Sequence, residues 1–339
     1  MIPSNVQKEL EKKSYALVGK NSAVQICNWT KNSLRNEGEC WKEKFYGIKS
    51  HKCCQFSPSV MWCENSCLHC WRPIELNLGI NLKEVDKPEK IIDKIIEERK
   101  KLLIGFGGNK NVDKKKLEDS FVPSLFTFSL SGEATLYPHL GEMIKNLRNR
   151  GIITFLVTNG QNPKVIERLA KDNELPTQLT LSLNAPNEKL FNIWHNSLRK
   201  DAWKRFNQTI SLFKKLKGKT RRCLRLTLVK KIEGKGKLDN ITNTEEKNVR
   251  EYVQMIKKAE PDFIHVKGFT SIGNARERMG YEKQPFHSEV KIYAKKILQE
   301  LNKQEKSKNK KKYRVLAEEE RSAVVVLGKD KKMMKIRKA

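Results

Sequence analysis

The chain has 339 residues, enough for one large hydrophobic core or two modest ones. Its 69 Lys and Arg against 39 Asp and Glu leave a formal charge of +30, which repels itself unless a polyanion answers it, so a nucleic acid is the expected partner. No run of about 18 apolar residues and no signal-peptide core occur, so no membrane partner and a reducing, cytoplasmic setting are expected, where cysteines serve as metal ligands.

Seven of the eight cysteines lie between Cys27 and Cys70, which sets the first 70 residues apart chemically. Cys54–Val60 has room for one strand. A helix follows with Ile91, Ile92, Ile95, Ile96 and Leu102 on one face, and Gly105–Glu118, carrying Lys114–Lys116, reads as a loop. Strands are expected at Leu125–Leu130, Ile152–Val157, Leu179–Leu183, Leu224–Val229 and Phe263–Lys267, alternating with helices. Pro138, Pro163 and Pro261 stand at element starts. Lys303–Lys312 reads as a solvated linker, Tyr313–Leu316 and Ala323–Leu327 as a terminal hairpin, and Lys329–Ala339 as a frayed basic tail. Six β/α units predict an α/β fold, an incomplete parallel (β/α)6 TIM-like barrel with a wide lateral mouth. The expected division is an N-terminal segment over 1–54, a barrel over 55–290 and a basic extension over 291–339.

Cys63-Glu-Asn-Ser-Cys67-Leu-His-Cys70 has the spacing C-x3-C-x2-C. Three thiolates on one short loop suit a 4Fe–4S cubane, each binding a different iron and leaving the fourth open. An open iron can chelate the amino and carboxylate groups of S-adenosylmethionine (SAM) and reduce its sulfonium, which is radical SAM chemistry. A zinc site with His69 as a fourth ligand is the alternative, but zinc sites pair such a motif with a second one downstream, and this chain has none.

Cys27, Cys40 and Cys53 are each separated by twelve residues and suggest a second three-thiolate site, with Cys54 to spare. Ser131-Gly-Glu133 ends an apolar strand: glycine admits close backbone approach, and the Glu133 carboxylate can accept from the SAM ammonium. Thr158-Asn159-Gly160 and Ser182-Leu-Asn184 end the next two strands. On a barrel these C-terminal strand ends face the active site, so Asn159, Ser182 and Asn184 join Glu133 as SAM contacts.

Together these residues resemble the tRNA 4-demethylwyosine synthases. The similarity is dense from Gly19 to Pro73, through Gly19–Lys31, Cys40-Trp-Lys-Glu-Lys-Phe-Tyr-Gly47, Ser50–Cys53 and Cys63–Pro73. It continues in Ser129–Tyr137, Thr158–Gly160, Ser182–Pro186 and Leu226–Lys230. The resemblance implies a radical SAM enzyme that converts 1-methylguanosine beside the anticodon of tRNA(Phe), with two carbons from pyruvate, into a tricyclic base. It implies an auxiliary 4Fe–4S cluster on Cys27, Cys40 and Cys53, two clusters in all, and a lysine that holds pyruvate as a Schiff base at Lys42. A lysine beside a positive cluster is expected to have a depressed pKa suited to imine formation; sequence alone leaves Lys44 open as well. The chain resembles the shorter archaeal type, without a flavodoxin-like domain, which implies an external reductant such as flavodoxin or ferredoxin; a monomer is expected. Lys231 departs from the family's usual glycine. The rival expectation is another radical SAM RNA-modifying enzyme with an auxiliary iron–sulfur cluster.

Overall fold

The computed structural model describes residues 1–234, 236, 238–303 and 311–336. Two short strands, β1 (Ala16–Val18) and β2 (Ser22–Gln25), pair antiparallel and lead into β3 (Cys53–Ser57). From β3 the sheet runs parallel through β4 (Leu125–Phe128), β5 (Ile153–Thr158), β6 (Gln178–Ser182), β7 (Arg221–Leu228) and β8 (Phe263–Gly268). An antiparallel hairpin, β9 (Arg314–Glu319) and β10 (Val324–Gly328), extends it, with β10 against β8. Among the described residues β1 and β9 do not pair, so this ten-stranded sheet is an incomplete barrel. The five strands expected after Cys70 are all present, as are the terminal hairpin and a strand before the cysteine loop. Strands β1 and β2 were not expected: at three and four residues they are too short to show a period.

The crossover segments carry the helices Pro88–Ile104, Leu140–Asn149, Pro163–Lys171, Ala202–Lys215 and Glu246–Ala259, and His287–Lys303 follows β8. Each is amphipathic. In the first, Ile91, Ile92, Ile95 and Leu103 are fully buried, and Pro88 occupies a first-turn position where its missing N–H costs nothing. Two expectations are corrected. Gly105–Glu118 is not a loop: after a 3₁₀ turn, Asp113 caps the helix Lys114–Ser120 by accepting from Lys116 N–H at 3.0 Å, and Val112 and Leu117 pack with Leu34 and Leu103. Nor does the tail fray throughout. Met334 is buried, Arg221 Nη2 donates to Met334 O at 3.1 Å, and Ile336 N–H donates to Tyr46 O at 3.0 Å. The linker expected over Lys303–Lys312 lies largely outside the described residues.

Strand alternation sorts side chains between two surfaces. Phe126, Phe128, Leu156, Leu179, Leu181, Leu224, Leu226, Ile264 and Val266 face the helices in the main core. Leu125, Phe155, Cys223 and Phe263 point the other way, into the barrel near the strand N-termini, where Trp41, Phe45 and Tyr46 of the helix Trp41–Tyr46 close it. The N-terminal segment therefore plugs the lower end of the barrel. The Cys63–Cys70 loop follows β3 and covers the upper end, where the parallel strands terminate.

Candidate active site

At the upper end, the cysteine loop is tied down from several directions. Asn77 accepts from Cys63 N–H at 3.2 Å and donates to Cys63 O and Asn65 O, both at 3.2 Å. Arg278 donates to Leu68 O at 3.3 Å and to Cys70 O, and pairs with Glu75 at 2.7 Å. Nitrogens also lie close to the sulfurs. Asn65 N–H lies 3.4 Å from Cys63 Sγ, Asn159 Nδ2 3.8 Å from the same atom, and His195 Nδ1 3.2 Å from Cys67 Sγ. Burial first, then neighbouring acids and thiols, raises the Cys63 pKa well above its ordinary value. A thiolate here needs a strong positive partner, which a metal cluster supplies. The alternative zinc ligand His69 faces Asn184, with Nε2 3.1 Å from Nδ2.

The strand ends build the rest of this end. Gly132 has φ +73°, and a Cβ there would lie 2.7 Å from Trp62 O; only glycine lets β4's exit pack on the backbone leading to Cys63. Glu133 is buried. Its Oε1 accepts from Thr135 Oγ1 at 2.7 Å and Thr158 Oγ1 at 2.8 Å, and its Oε2 from Asn159 N–H at 2.8 Å. Burial, and then the charge of Glu64, push its pKa up to about 7. Asn159 donates to Glu64 Oε2 at 2.9 Å. Ser182 ends β6 in register with Arg225 of β7. The structure thus brings Glu133, Asn159 and Asn184 against the cysteine loop. Ser131 Oγ, Asn184 Oδ1 and His69 Nδ1 are buried there without partners among the described residues, polar atoms that suit a polar ligand beside the cysteine loop.

At the lower end, Cys27, Cys40 and Cys53 line one cavity of about 170 Å³ together with Lys42, Arg225 and Lys267. Cys27 and Cys40 stand immediately before the helices Asn28–Leu34 and Trp41–Tyr46, whose first N–H groups favour thiolate. Ser50 joins the two helices: its Oγ accepts from Cys40 N–H at 2.9 Å and its carbonyl from Thr30 Oγ1 at 3.0 Å. Arg99, fully buried, holds the start of β3 by donating to His51 O at 2.7 Å and Cys53 O at 3.2 Å. Burial raises the Cys40 thiol to about 12. Cys54, the neighbour of Cys53, points instead into the main core.

Lys42 Nζ lies 3.8 Å from Cys53 Sγ and 5.9 Å from the centre of the Phe155 ring. Burial pulls its pKa down, but the thiolates of Cys53, Cys40 and Cys27 outweigh burial and leave it above the ordinary lysine value. This is opposite to the expected depression, because the nearest charges are negative. Lys44 leaves the cavity and pairs with Glu319 at 2.5 Å. Lys267 is the depressed lysine, lowered to about 8 by burial and then by Arg225.

Sequence reasoning missed Glu64, His195, Arg225 and Lys267. Glu64 and His195 carry no spacing signal. Arg225 was legible in part, since Cys223-Leu-Arg225-Leu-Thr227 alternates within a strand otherwise read as apolar.

Comparison with known proteins accords with this arrangement. Residues 58–236 match the radical SAM superfamily, and residues 258–329 match the wyosine base formation family. The S-adenosyl-L-methionine-dependent tRNA 4-demethylwyosine synthase of Pyrococcus abyssi is 38% identical, over 88% of this chain and 84% of its own. That of Methanocaldococcus jannaschii is 33% identical, over 87% and 89%. The chain also superposes on a TYW1 solved with a lysine–pyruvate adduct, with a TM-score of 0.79 and 30% identity over 99% of this chain and 98% of that one. An archaeal TYW1 structure gives a TM-score of 0.73 at 29% identity, over 99% of each chain. The chain belongs to the S-adenosyl-L-methionine-dependent tRNA 4-demethylwyosine synthases, and is a radical SAM enzyme of tRNA wyosine-base formation that uses a 4Fe–4S cluster and SAM.

Proposed function

We propose that the chain condenses pyruvate with 1-methylguanosine beside the anticodon of tRNA(Phe), using two separate 4Fe–4S sites at opposite ends of one barrel. Cys63, Cys67 and Cys70 hold the cluster that binds SAM, with Glu133, Asn159, Ser182 and Asn184 around the nucleoside and amino-acid parts. Cys27, Cys40 and Cys53 hold the auxiliary cluster. When bound, the SAM-binding cluster supplies the electron that cleaves SAM and so the carbon radical that starts the reaction.

The observation that carries this reading is the placement of Lys42. Its amine lies in a cavity lined by three cysteines, 3.8 Å from one of them. Ligation draws thiolate charge onto iron, so the amine loses the neighbours that favour its ammonium form. The neutral amine attacks the pyruvate carbonyl carbon, water leaves, and the imine holds the three-carbon unit in place. Wall residues Phe155 and Val157 exclude water from that position. The open upper side of the barrel admits the guanine, and an external reductant such as flavodoxin or ferredoxin, acting on a cytoplasmic monomer, supplies electrons. Among the described residues no helix is long and apolar enough to cross a membrane.

The test is anaerobic incubation of reconstituted protein with SAM, pyruvate, dithionite and 1-methylguanosine-containing tRNA, followed by nucleoside mass spectrometry. A tricyclic base with two pyruvate carbons is the expected product. A sulfur-containing or merely methylated base would replace this reading with that of a different RNA-modifying enzyme.

A further inference from the structure

The lower cavity carries more positive charge than its thiolates answer. Lys42, Lys49, Arg225 and Lys267 line it, and among the described residues no Asp or Glu does; Lys49 is answered by Glu43 at 3.4 Å, which leaves three cations. Arg225 stands on β7 opposite Ser182 of β6 and His265 of β8, and Lys267 lies on the same inward face of β8, opposite Thr227. Arg225 Nε is buried without a partner among the described residues. Among the described residues Lys267 Nζ donates to the neutral acceptors Gly268 O at 3.3 Å and Thr270 Oγ1 at 3.1 Å. Arg225 and Lys267 are half-buried, and charges drawn out of water without a counter-ion are costly and are normally paired. Three free thiolates would balance three cations, but thiolates bound to a cationic iron–sulfur core have given up much of that charge. A small anion restores the balance.

Arginine is suited to one anion class in particular. Its planar fork matches a carboxylate with two parallel hydrogen bonds, and it stays charged in any protein setting. Lys42, on the helix Trp41–Tyr46, lines the same cavity, as do the apolar Leu125, Phe155 and Val157. A molecule that presents a carboxylate to Arg225 and a carbonyl carbon to Lys42, with a short apolar remainder, is a 2-oxo acid. We propose that Arg225, supported by Lys267, reads the carboxylate of the carbonyl substrate and so selects 2-oxo acids over uncharged carbonyl compounds at Lys42. This rests on the reading of Lys42 as the imine-forming residue. It adds the group that decides which carbonyl compound reaches it.

The experiment uses the reconstituted holoenzyme and two probes, radiolabelled pyruvate and radiolabelled methyl pyruvate, which differ only in the charge of the carboxyl group. Each is trapped on the protein with borohydride, and half-saturation is measured for both. Wild type should favour pyruvate strongly. Losing a charge-assisted bidentate contact should raise the half-saturating pyruvate in Arg225→Gln by roughly 10- to 100-fold, with much less change for methyl pyruvate. Lys267→Gln should give a smaller shift in the same direction. Adduct is counted per cluster-loaded protein, and the pyruvate-to-methyl-pyruvate ratio is internal to each variant, so partial misfolding does not mimic the effect. If both probes weaken equally in Arg225→Gln, the arginine serves the cluster or the fold and the proposal is overturned. If wild type traps neither probe, the imine reading fails. Calorimetric binding of pyruvate to wild type and Arg225→Gln then still decides the carboxylate role, which falls if the two bind alike.

Discussion

Lys42 and Lys44 are two residues apart on one helical turn, yet they face different worlds. Lys42 Nζ lies 3.8 Å from Cys53 Sγ inside the barrel, and Lys44 Nζ lies 2.5 Å from Glu319 at the sheet's outer hairpin. On a helix, positions i and i+2 project about 200° apart, so one must leave the cavity if the other enters it.

Borohydride trapping with labelled pyruvate should therefore mark Lys42 and not Lys44, as read by peptide mass spectrometry. Lys42→Arg keeps the charge but forms no imine, and it should yield no tricyclic base while still cleaving SAM. Lys44→Met should be trapped as wild type and lose no more than about 1 kcal/mol of stability, since its ion pair is partly exposed. Trapping at Lys44 would move the Schiff base by two residues.

Two three-cysteine sites predict about eight irons per chain after anaerobic reconstitution. Replacing Cys63, Cys67 and Cys70 together by alanine should leave about half the iron and abolish SAM cleavage. Replacing Cys27, Cys40 and Cys53 should also leave about half, but with SAM cleavage retained and no tricyclic base formed. Iron analysis and 5′-deoxyadenosine assay separate these outcomes, and equal loss of all iron in either variant would contradict independent sites.

Gly132→Ala should cost about 2–4 kcal/mol, because a positive φ and overlap with backbone oxygens of Ser59 and Trp62 act together. Urea denaturation of the metal-free protein reads this directly. A change below about 0.5 kcal/mol would show that the cysteine loop is free to shift.

Glu133 links stability to pH. Its folded-state pKa, about 7, lies above the 4.5 of an ordinary glutamate, so the folded chain binds more protons between those values. Stability of the metal-free protein from this group is full below about pH 4.5 and falls as pH rises toward 7, by up to about 1.4 kcal/mol per pH unit. Glu64→Gln removes the neighbouring charge, lowers the Glu133 pKa and should flatten that slope. Denaturation at pH 5.5 and 7.5 tests it, and identical slopes in both proteins would refute the coupling.

Lys114 and Lys115 are exposed, whereas Lys116 is held by Asn36 Oδ1 at 2.7 Å. If the first two contact tRNA phosphate, their double charge reversal should reduce the slope of log K against log salt by roughly 1–2, as expected for two lost phosphate contacts. Filter binding between about 50 and 200 mM salt measures it, and an unchanged slope would place the tRNA elsewhere.

Much of this protein is written along its chain. The C-x3-C-x2-C spacing, the Ser-Gly-Glu strand exit and the alternation of apolar strands with amphipathic helices are local patterns. Such local patterns specify a cysteine loop and the strands and helices of a parallel barrel. The short strands β1 and β2 and the helix Lys114–Ser120 escaped because their length or lysine content hides any period, and packing against Leu34 and Leu103 decided the helix. What tertiary structure alone decided is the content of the lower cavity. Cys27, Lys42, Cys53, Arg225 and Lys267 are scattered over some two-thirds of the chain, and none is within helical or strand reach of all the others. They meet because a barrel projects every second residue of several strands into one small volume, and a plug of N-terminal helices delivers its own side chains from below. Distance along the chain carries no information about that meeting, and so neither which of Lys42 and Lys44 enters the cavity nor the arginine that shares it could be read before the sheet had curled around them.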